Sequence, residues 1–480
     1  MSDFRDIAFG FSSAEAERTR DPGLLLEGYV DFKAVTEEAL TGDRYLMLGY
    51  KGAGKSSIAE RIELKLGNSF SNFVKLVSLA DFPFTPFSKM IRGGAEPETK
   101  YPSAWSWILL IYILESFAKD EGIRHPDQVV FQDAIKSFRN MGLSPAAEPG
   151  SIVRTTAKTN FKLSLPGKLA QLAWSGSESR PAAQIPDYVE SLKHLIHETR
   201  SENRHYLIID GLDDILTSRE IQYKSLSALI FEVARLNRDF LTHNVPAKII
   251  LLCRTDLFEI IPGTNKNKVR QDNAVELDWY HDPRSPENSL LLQIAQTRAT
   301  RSLGSGVQLF EDFFPQSIDG VDVRRTLLDM TRHTPRDFLR LLAHVQEFAS
   351  AGSLDVSAVM SGMREYSIKY FLPEIQDELS GYATPEEITH IIDALGRLRK
   401  REFKLSELVA ASKLLTKPLS AERIFEVMRN LFQCSAIGNI QHRPTGTTFY
   451  TFKFRNRHSS FIENETIVLH RGLWKALNLV

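Results

Sequence analysis

The sequence has 480 residues, of which 42% are hydrophobic and 25% are charged, and its formal net charge is −1. This composition is typical of a globular protein, and the length predicts about three domains. The near-zero charge argues neither for nor against nucleic-acid binding, so any basic surface must be local. The two cysteines, Cys253 and Cys434, exclude a disulfide framework and a multi-cysteine zinc site.

The chain shows no signal for a membrane. Its N-terminus lacks an apolar signal region. The most apolar stretch, Trp105 to Phe117, is too short to span a bilayer and contains Glu115, so it predicts a buried helix. We therefore expect a cytoplasmic protein.

A helical lead-in over residues 1–43 is followed by a phosphate-binding pattern. Tyr45 to Leu48 form a short apolar run that predicts a buried strand, and Gly49-x4-Gly54-Lys55-Ser56 matches the P-loop in full. Ile58, Ile62 and Leu66 then recur at helical spacing. Strand, loop and helix thus follow in the order that this motif requires.

The P-loop residues predict a site for ATP with Mg²⁺. Glycines let the backbone N–H groups point inward at phosphate oxygens, and the positive end of the next helix faces the same oxygens. Lys55 is expected to reach the β- and γ-phosphates, and the Ser56 hydroxyl to bind Mg²⁺. The predicted nucleotide-binding residues of the loop are Gly49, Gly52, Ala53, Gly54, Lys55, Ser56 and Ser57.

A second strand is predicted at Val74 to Leu79, and residues 121–184 form a less regular insertion. The insertion carries a basic stretch, Arg154 to Lys168, without an acidic residue. This stretch is either a solvated surface segment or a contact with a partner or nucleic acid.

The third predicted strand ends in an acidic residue, as a Walker B element does. Tyr206 to Ile209 are apolar or aromatic, and Asp210 follows at the carboxyl edge of the predicted sheet, where it can bind Mg²⁺. Asp213 and Asp214 lie close enough in sequence for one of them to orient or deprotonate the attacking water. Asp210, Asp213 and Asp214 are therefore candidate catalytic residues.

Two further strands complete the predicted sheet. A long helix from Ile221 to Phe240 precedes the fourth strand, Ala247 to Arg254, and the fifth is Ala274 to Trp279. Arg254 ends its strand beside the Walker B position and is a candidate sensor of the γ-phosphate; alternatively it pairs with Asp256 or with a Walker B acid. Strand–helix alternation over residues 44–280 predicts an α/β fold with a five-stranded, mostly parallel sheet.

Residues 281–358 predict a helical lid, with helices at Asn288 to Arg298 and Arg336 to Phe348. Pro335 suits the first helical turn, which places Arg336 at the positive end of the helix dipole. Since that position disfavours a cation, Arg336 is expected to have another partner. We interpret it as a nucleotide contact, with a surface arginine as the alternative.

Residues 359–480 predict a winged helix. Three helices, Glu386 to Arg397, Leu405 to Ser412 and Ala421 to Leu431, precede two strand-like runs that flank a turn. From residue 386 to the end there are 15 Lys and Arg against 9 Asp and Glu, a local +6. This surface either contacts DNA phosphates or serves as a protein docking or oligomer-packing module.

Asp210-Gly-Leu-Asp-Asp214, Arg254, Pro335-Arg336 and the winged helix together resemble the STAND and origin-recognition branches of AAA+-type ATPases. More closely, the chain resembles bacterial stand-alone P-loop ATPases, some of which are found in phage-defence gene clusters. The resemblance implies ATP binding with Mg²⁺, slow or gated hydrolysis, and nucleotide-controlled self-association. The family pattern has Glu directly after the Walker B Asp, whereas here Gly211 follows Asp210. An arginine finger from a neighbouring subunit could only be guessed, at Arg219 or Arg284.

Two functions are therefore weighed. The first is an ATP-hydrolysing switch that forms a homo-oligomer and controls a partner effector protein, possibly in antiviral defence. The second is a nucleotide-gated DNA-binding protein that uses Arg399, Lys400 or Arg455. A nuclease or protease is disfavoured because the chain lacks the corresponding motifs. His194 and His197 lie on one helix without a third nearby ligand in sequence, which disfavours zinc.

Overall fold

The computed structural model describes residues 3–67, 69–90, 97–143, 148–158, 185–212, 220–282, 284–350, 353–442 and 448–479. The chain forms two compact units. The core unit contains Asp31–Tyr50 and Lys55–Leu277, and the C-terminal unit contains Met1–Val30, Lys51–Gly54 and Asp278–Val480. Two short helices at the start, α1 (Ala14–Arg20) and α2 (Gly23–Leu26), belong to the C-terminal unit.

The core unit is built on a five-stranded sheet in which every pairing is parallel. The strand order is β2-β3-β4-β1-β5, so the first strand lies inside the sheet between the fourth and fifth. The strands are β1 (Leu46–Gly49), β2 (Asn72–Ser78), β3 (Arg204–Asp210), β4 (Ala247–Arg254) and β5 (Ala274–Glu276).

Both faces of this sheet are buried. Leu207 and Ile209 of β3 belong to a large apolar cluster that includes the helix around Trp107. Ile208, which alternates with them and so points to the other face, is also fully buried, as is Met47 of β1. Apolar residues on both faces are what a parallel sheet covered by helices requires.

Helices connect the strands and cover the sheet. In the core unit they are α3 (Val35–Thr41), α4 (Lys55–Leu66), α5 (Phe84–Ser88), α6 (Pro97–Phe117), α7 (Gln128–Asn140), α8 (Pro149–Thr156), α9 (Ile185–His197), α10 (Glu220–Thr242), α11 (Thr255–Ile260) and α12 (Lys266–Asn273). Helix α6 packs against both α9 and α10. This helix contains the apolar stretch that the sequence predicted to be buried, and Trp105 and Trp107 are 1% and 0% exposed.

The C-terminal unit continues with a helical region. Its helices are α13 (Leu290–Leu303), α14 (Leu309–Phe313), α15 (Val323–Asp329), α16 (Pro335–Gln346), α17 (Val356–Tyr366) and α18 (Leu372–Leu379). Arg298 of α13 ties the N-terminal residues to this region, because its guanidinium pairs with the buried Glu17 at 2.7 Å. A short hairpin of two strands with two residues each, β6 (Ser317–Ile318) and β7 (Val321–Asp322), occurs where no strand was predicted.

The last part of the chain combines three helices with a four-stranded antiparallel sheet, the arrangement of a winged helix. The helices are α19 (Pro385–Leu398), α20 (Leu405–Ser412) and α21 (Ala421–Gln433), and a short α22 (Arg471–Trp474) follows later. The strands are β8 (Glu402–Phe403), β9 (Ile437–His442), β10 (Thr448–Thr451) and β11 (Thr466–Leu469), in the order β10-β9-β11-β8.

The predicted fold class is confirmed: an α/β protein with a five-stranded parallel sheet and a helical C-terminal part. The sequence missed α5, the strands β8 and β11, and the helices α7 and α8, which lie in the segment predicted to be a less regular insertion, and it made β5 too long. Among the described residues, no helix is long and apolar enough to cross a membrane. Most of the basic stretch Arg154 to Lys168 lies outside the described residues, as do Asp213, Asp214 and Arg219.

Candidate nucleotide-binding site

The phosphate-binding loop joins the end of β1 at Gly49 to the start of α4 at Lys55. Gly52 and Gly54 have φ angles of +80° and +92°, in the region that favours glycine. A loop of this kind turns successive N–H groups to one side, where the first N–H groups of α4 also lack partners within the helix. The backbone therefore fits the phosphates of a nucleotide.

Lys55 is the buried cation of the loop. Its side chain is 4% exposed, and its Nζ donates to the carbonyl oxygens of Gly49 at 3.2 Å and Tyr50 at 3.3 Å. Ser56 and Ser57 follow in the first turn of α4 and are partly exposed. The ammonium is thus held over the loop. The hydroxyl of Ser56, the second residue of α4, stands at the position of the Mg²⁺ ligand in the P-loop pattern.

Three strand ends bring the other predicted residues to the same edge of the sheet. Gly49 pairs in register with Arg254, the last residue of β4. Asp210 is the last residue of β3 and pairs in register with Ser78, the last residue of β2. Because these parallel strands all end here, Gly49, Asp210 and Arg254 lie along the carboxyl edge, where ligands bind in open α/β sheets.

Arg254 pairs with Asp256, which is the alternative that the sequence left open. The guanidinium is buried, and its Nε donates to Oδ1 of Asp256 at 2.9 Å. Burial raises the pKa of Asp256, but the positive charge and hydrogen bonds of Arg254, with a smaller effect of Lys55, outweigh it and leave that pKa below its ordinary value. Asp256 is therefore an anion held beside two cations of the candidate site.

The backbone after Asp210 explains the departure from the family pattern. Gly211 has a φ of +81°, and a Cβ there would lie 2.7 Å from Oγ of Ser78 and 2.8 Å from the nitrogen of Ala80. A glutamate at this position would clash with that backbone. A catalytic base cannot come from position 211, and the two aspartates predicted for that role lie outside the described residues.

Residues 51–54 of the loop contact the helical region of the C-terminal unit, to which they belong. The N–H of Arg336 donates to the carbonyl oxygen of Gly52 at 3.3 Å, and the Cβ of Arg336 would lie 3.2 Å from a Cβ on Gly52. Thr334 caps α16 through its side chain, and its Oγ1 would lie 3.0 Å from a Cβ on Gly52. Arg336, predicted as a nucleotide contact, therefore lies against the loop, while its guanidinium is 3.5 Å from Glu374.

Two more contacts hold the loop. Nζ of Lys51 is 2.8 Å from Oε1 of Glu374, the carboxylate that also approaches Arg336. The indole N–H of Trp279 donates to the carbonyl oxygen of Ala53 at 2.9 Å. The sequence did not predict that Trp279, Thr334 and Glu374 contact the loop. For Trp279 the available sign was its position at the end of the fifth predicted strand; for the other two there was none.

The two residues immediately before Thr334 contact the winged-helix part of the chain. Arg332 is buried and pairs with Asp337 at 2.9 Å and Glu378 at 2.6 Å. His333 has a φ of +53°, is 2% exposed, and has no hydrogen-bond partner for either ring nitrogen among the described residues. Its ring packs against Tyr280 and Phe454, which also contact each other. We refer to Arg332–Arg336 as the lid segment.

The predicted DNA surface is partly used for internal contacts. Lys453 is 6% exposed and donates to the carbonyl oxygen of Ser459 at 3.3 Å. Arg455 lies over the ring of Tyr280 and approaches Asp329 at 3.9 Å. Lys400 pairs with Glu407. Of the residues named for DNA contact, Arg399 is exposed at the left-handed end of α19.

Comparisons with known proteins add a regional match and distant structural similarities. A family model described as the FunZ-associated C-terminal helical domain matches residues 289–372. A search of curated proteins finds no match.

Among solved structures, the chain is similar to the Orc1 protein of Aeropyrum pernix in complex with DNA, with 13% identity over 96% of both chains and a TM-score of 0.42. It is similar to Cdc6p of Pyrobaculum aerophilum with 10% identity over 98% of this chain and 95% of that chain, at a TM-score of 0.31. The RuvB Holliday junction branch migration motor of Thermotoga maritima gives 13% identity, coverages of 92% and 95%, and a TM-score of 0.31. At these TM-scores the similarity carries no argument about activity.

Proposed function

We propose that the chain binds ATP with Mg²⁺ and hydrolyses it slowly, as a molecular switch. The observation that carries the proposal is the loop itself: two glycines with positive φ lead into α4 at the buried Lys55, beside the strand end of Arg254. Such a loop satisfies phosphate oxygens through backbone N–H groups and one ammonium. Bound Mg²⁺ would neutralise phosphate charge, with the Ser56 hydroxyl and the Asp210 carboxylate as its protein ligands.

The contacts of Arg254 and Gly211 favour slow or gated turnover. Asp256 already holds the Arg254 guanidinium, so Arg254 reaches a phosphate only by giving up part of that pair. Gly211 removes the side chain that follows Asp210 in the family pattern. Activation of water is left, in this proposal, to Asp213 or Asp214.

The lid contacts support a switch rather than a simple binding site. Lys51, Gly52 and Ala53 of the loop are each held by a residue from the C-terminal half of the chain. We propose that the Arg336 side chain contacts the phosphates held by Gly52–Gly54, so that nucleotide competes with Glu374 for this arginine. Nucleotide would then change the position of the lid segment and, through it, of the winged helix.

We further propose that this change controls self-association and a partner effector protein, with phage defence as the setting that the family resemblance implies. The winged helix has exposed charged residues, among them Arg397, Arg399 and Arg429, that are available for such contacts. Mass measurement of the full chain with and without ATP tests the first part. An ATP-dependent increase in mass is expected, and an unchanged mass contradicts nucleotide-controlled assembly.

ATP binding is tested by Lys55→Ala against Lys65→Ala, which removes an exposed lysine from the last turn of the same helix. Loss of a charged hydrogen-bond donor to phosphate predicts affinity for ATP reduced by about 10- to 100-fold. Phosphate release should fall with it, whereas Lys65→Ala should behave as the wild type. Equal binding and turnover by the Lys55→Ala variant would refute the proposal.

A second candidate function is nucleic-acid contact through the winged helix, favoured by the local excess of 15 basic over 9 acidic residues from residue 386 onward. Much of this charge is paired internally, for example Arg423 with Glu387 at 2.7 Å. We therefore propose that any phosphate contact falls to the exposed cations, among them Arg397, Arg399 and Arg429.

A further inference from the structure

Three side chains with metal-binding chemistry meet at the ends of two helices of the core unit. His197 is the last residue of α9, Asp239 lies in the last turn of α10, and His243 follows directly after that helix. One ligand atom from each lies within 4.8 Å of the other two. Nε2 of His197 is 2.8 Å from Oδ2 of Asp239, and Nδ1 of His243 is 3.5 Å from Oδ1 of the same carboxylate.

The ligand set selects a class of ion. Two imidazoles and one carboxylate are ligands of Zn²⁺, which takes four ligands in a tetrahedron and often keeps one position for water. Mg²⁺ and Ca²⁺ prefer oxygen ligands only. Cu²⁺ and Ni²⁺ share the preference for imidazole, so a zinc site of this kind also accepts them.

Ring packing and hydrogen bonds suit metal binding. The His197 and His243 rings stack with centroids 3.9 Å apart and planes 4° apart, an arrangement that two imidazolium cations would oppose. Nδ1 of His243 is 2.9 Å from the carbonyl oxygen of Asp239. When Nδ1 donates to that oxygen, Nε2 of His243 is the nitrogen left to bind an ion, as in metal sites where the second ring nitrogen donates to a carbonyl group.

One adjustment is needed for a shared ion. Because the ring planes are parallel, lone pairs lying in those planes do not converge on one point, and one imidazole must turn about its side-chain bonds. The side chains of His197 and His243 are 20% and 42% exposed, so solvent borders both rings. This exposure leaves room for the turn and for a water molecule as fourth ligand.

We propose that His197, Asp239 and His243 form a site for Zn²⁺ or a similar imidazole-binding ion. The ion joins the ends of α9 and α10, the helices before and after β3, and both of these helices pack on α6. Its role is structural, because it closes a chain segment of more than forty residues between His197 and Asp239. The proposal does not depend on nucleotide binding.

The test is a zinc titration of the full chain without nucleotide, in competition with a chromophoric chelator. The wild type is expected to bind one Zn²⁺ ion with an affinity clearly higher than that of nonspecific binding to surface histidines and carboxylates. His197→Ala, Asp239→Asn and His243→Gln should each weaken this site at least about 100-fold, beyond the loss seen when only a supporting group is removed. His194→Gln is the matched control, since His194 lies one turn earlier on α9 and is 46% exposed.

Two features keep the result decisive. Asp239→Asn preserves an oxygen acceptor for His197 but removes the negative charge, so it separates an ion site from a hydrogen-bonded stack. If His197→Ala does not fold, His243→Gln alters a more exposed residue and gives the same answer. Zinc should raise the melting temperature of wild type and His194→Gln but not of Asp239→Asn. Full affinity in any of the three ligand variants, which indicates adventitious surface binding, overturns the site.

Discussion

The imidazole of His333 stacks on the ring of Phe454, with centroids 5.4 Å apart and planes 18° apart. The next residue, Thr334, lies close to Gly52 of the phosphate-binding loop. One step along the chain therefore separates a contact with the wing from a contact with the loop. A non-glycine residue with positive φ and unpartnered ring nitrogens is typical of a strained segment, and such segments are common at switches.

The first prediction concerns the Glu374 carboxylate, which lies 2.8 Å from Lys51 and 3.5 Å from Arg336. Glu374→Gln removes the negative charge that holds Lys51 and Arg336. Nucleotide binding should then no longer have to break these two ion pairs. We expect ATP-induced changes in amide hydrogen exchange on β9 and β10 to fall by at least about half. Glu287→Gln, an exposed acid of the same unit, should leave them unchanged.

If exchange on these strands does not respond to ATP even in the wild type, the coupling between loop and wing is refuted. ATP binding itself remains testable through Lys55→Ala, so the two failures can be told apart.

The second prediction concerns Gly211. Gly211→Ala places a Cβ 2.7–2.9 Å from Ser78, Leu79 and Ala80 at a φ of +81°. Strain and overpacking predict a loss of about 1–3 kcal/mol in unfolding free energy. Thermal or denaturant unfolding measures this loss.

Gly396→Ala is the control, and we expect it to change the unfolding free energy in the opposite direction. Gly396 lies inside α19, and a Cβ there has no neighbour within 4 Å. Alanine should therefore stabilise by about 0.5–1 kcal/mol, because it costs less backbone entropy than glycine in a helix. Equal effects of the two substitutions would contradict the packing of Gly211.

The third prediction is a pH dependence that originates in His333. Burial, with repulsion from Arg455 and His281, lowers the pKa of His333 from an ordinary 6.5 to about 3. Below pH 6.5 the unfolded chain binds a proton at His333 that the folded chain does not bind. The free energy of unfolding is therefore unaffected by this histidine above pH 6.5 and decreases as the pH falls from 6.5 towards 3. The slope is about 1.4 kcal/mol per pH unit for one such histidine.

His333→Phe keeps an aromatic ring against Tyr280 and Phe454 and removes the titrating group. Its melting temperature should fall less between pH 7 and pH 5 than that of the wild type. Parallel pH profiles for the two proteins would show that His333 is not buried as a neutral ring.

The fourth prediction concerns nucleic acid. If the winged helix contacts DNA phosphates, Arg399→Ala should weaken duplex binding and reduce the slope of log affinity against log salt by about 1. Lys453→Ala should act on stability instead, because its ammonium is buried against carbonyl oxygens. Binding by the full chain that does not weaken with salt would contradict a phosphate surface.

The sequence predicted the strand–loop–helix around Lys55, the order of five strands along the chain, and the strand ends at Asp210 and Arg254. These features follow from local patterns: an apolar run, glycines at fixed spacing, and helical periodicity. The neighbours of each strand depend on contacts distant in sequence, so the interior position of β1 could not be predicted from local patterns.

Partners of charged side chains were the weaker part of the prediction. Arg455 was expected on a DNA-binding surface, yet it lies over the ring of Tyr280, 175 positions earlier in the sequence. Glu374 gave no local sign that it would lie beside Lys51. The identity of a residue indicates what it can pair with, but only the fold decides which opposite charge comes within reach.

Residues 51–54 belong to the C-terminal unit, although the strand before them and the helix after them belong to the core unit. This interleaving has a practical consequence for dissecting the protein. A cut near residue 278 separates the C-terminal half from the four residues on which Thr334, Arg336 and Glu374 pack. The C-terminal fragment then lacks these four residues of its own unit, and the N-terminal fragment carries them without their partners. Co-expression of the two fragments, rather than expression of either one alone, is therefore the suitable way to divide this chain.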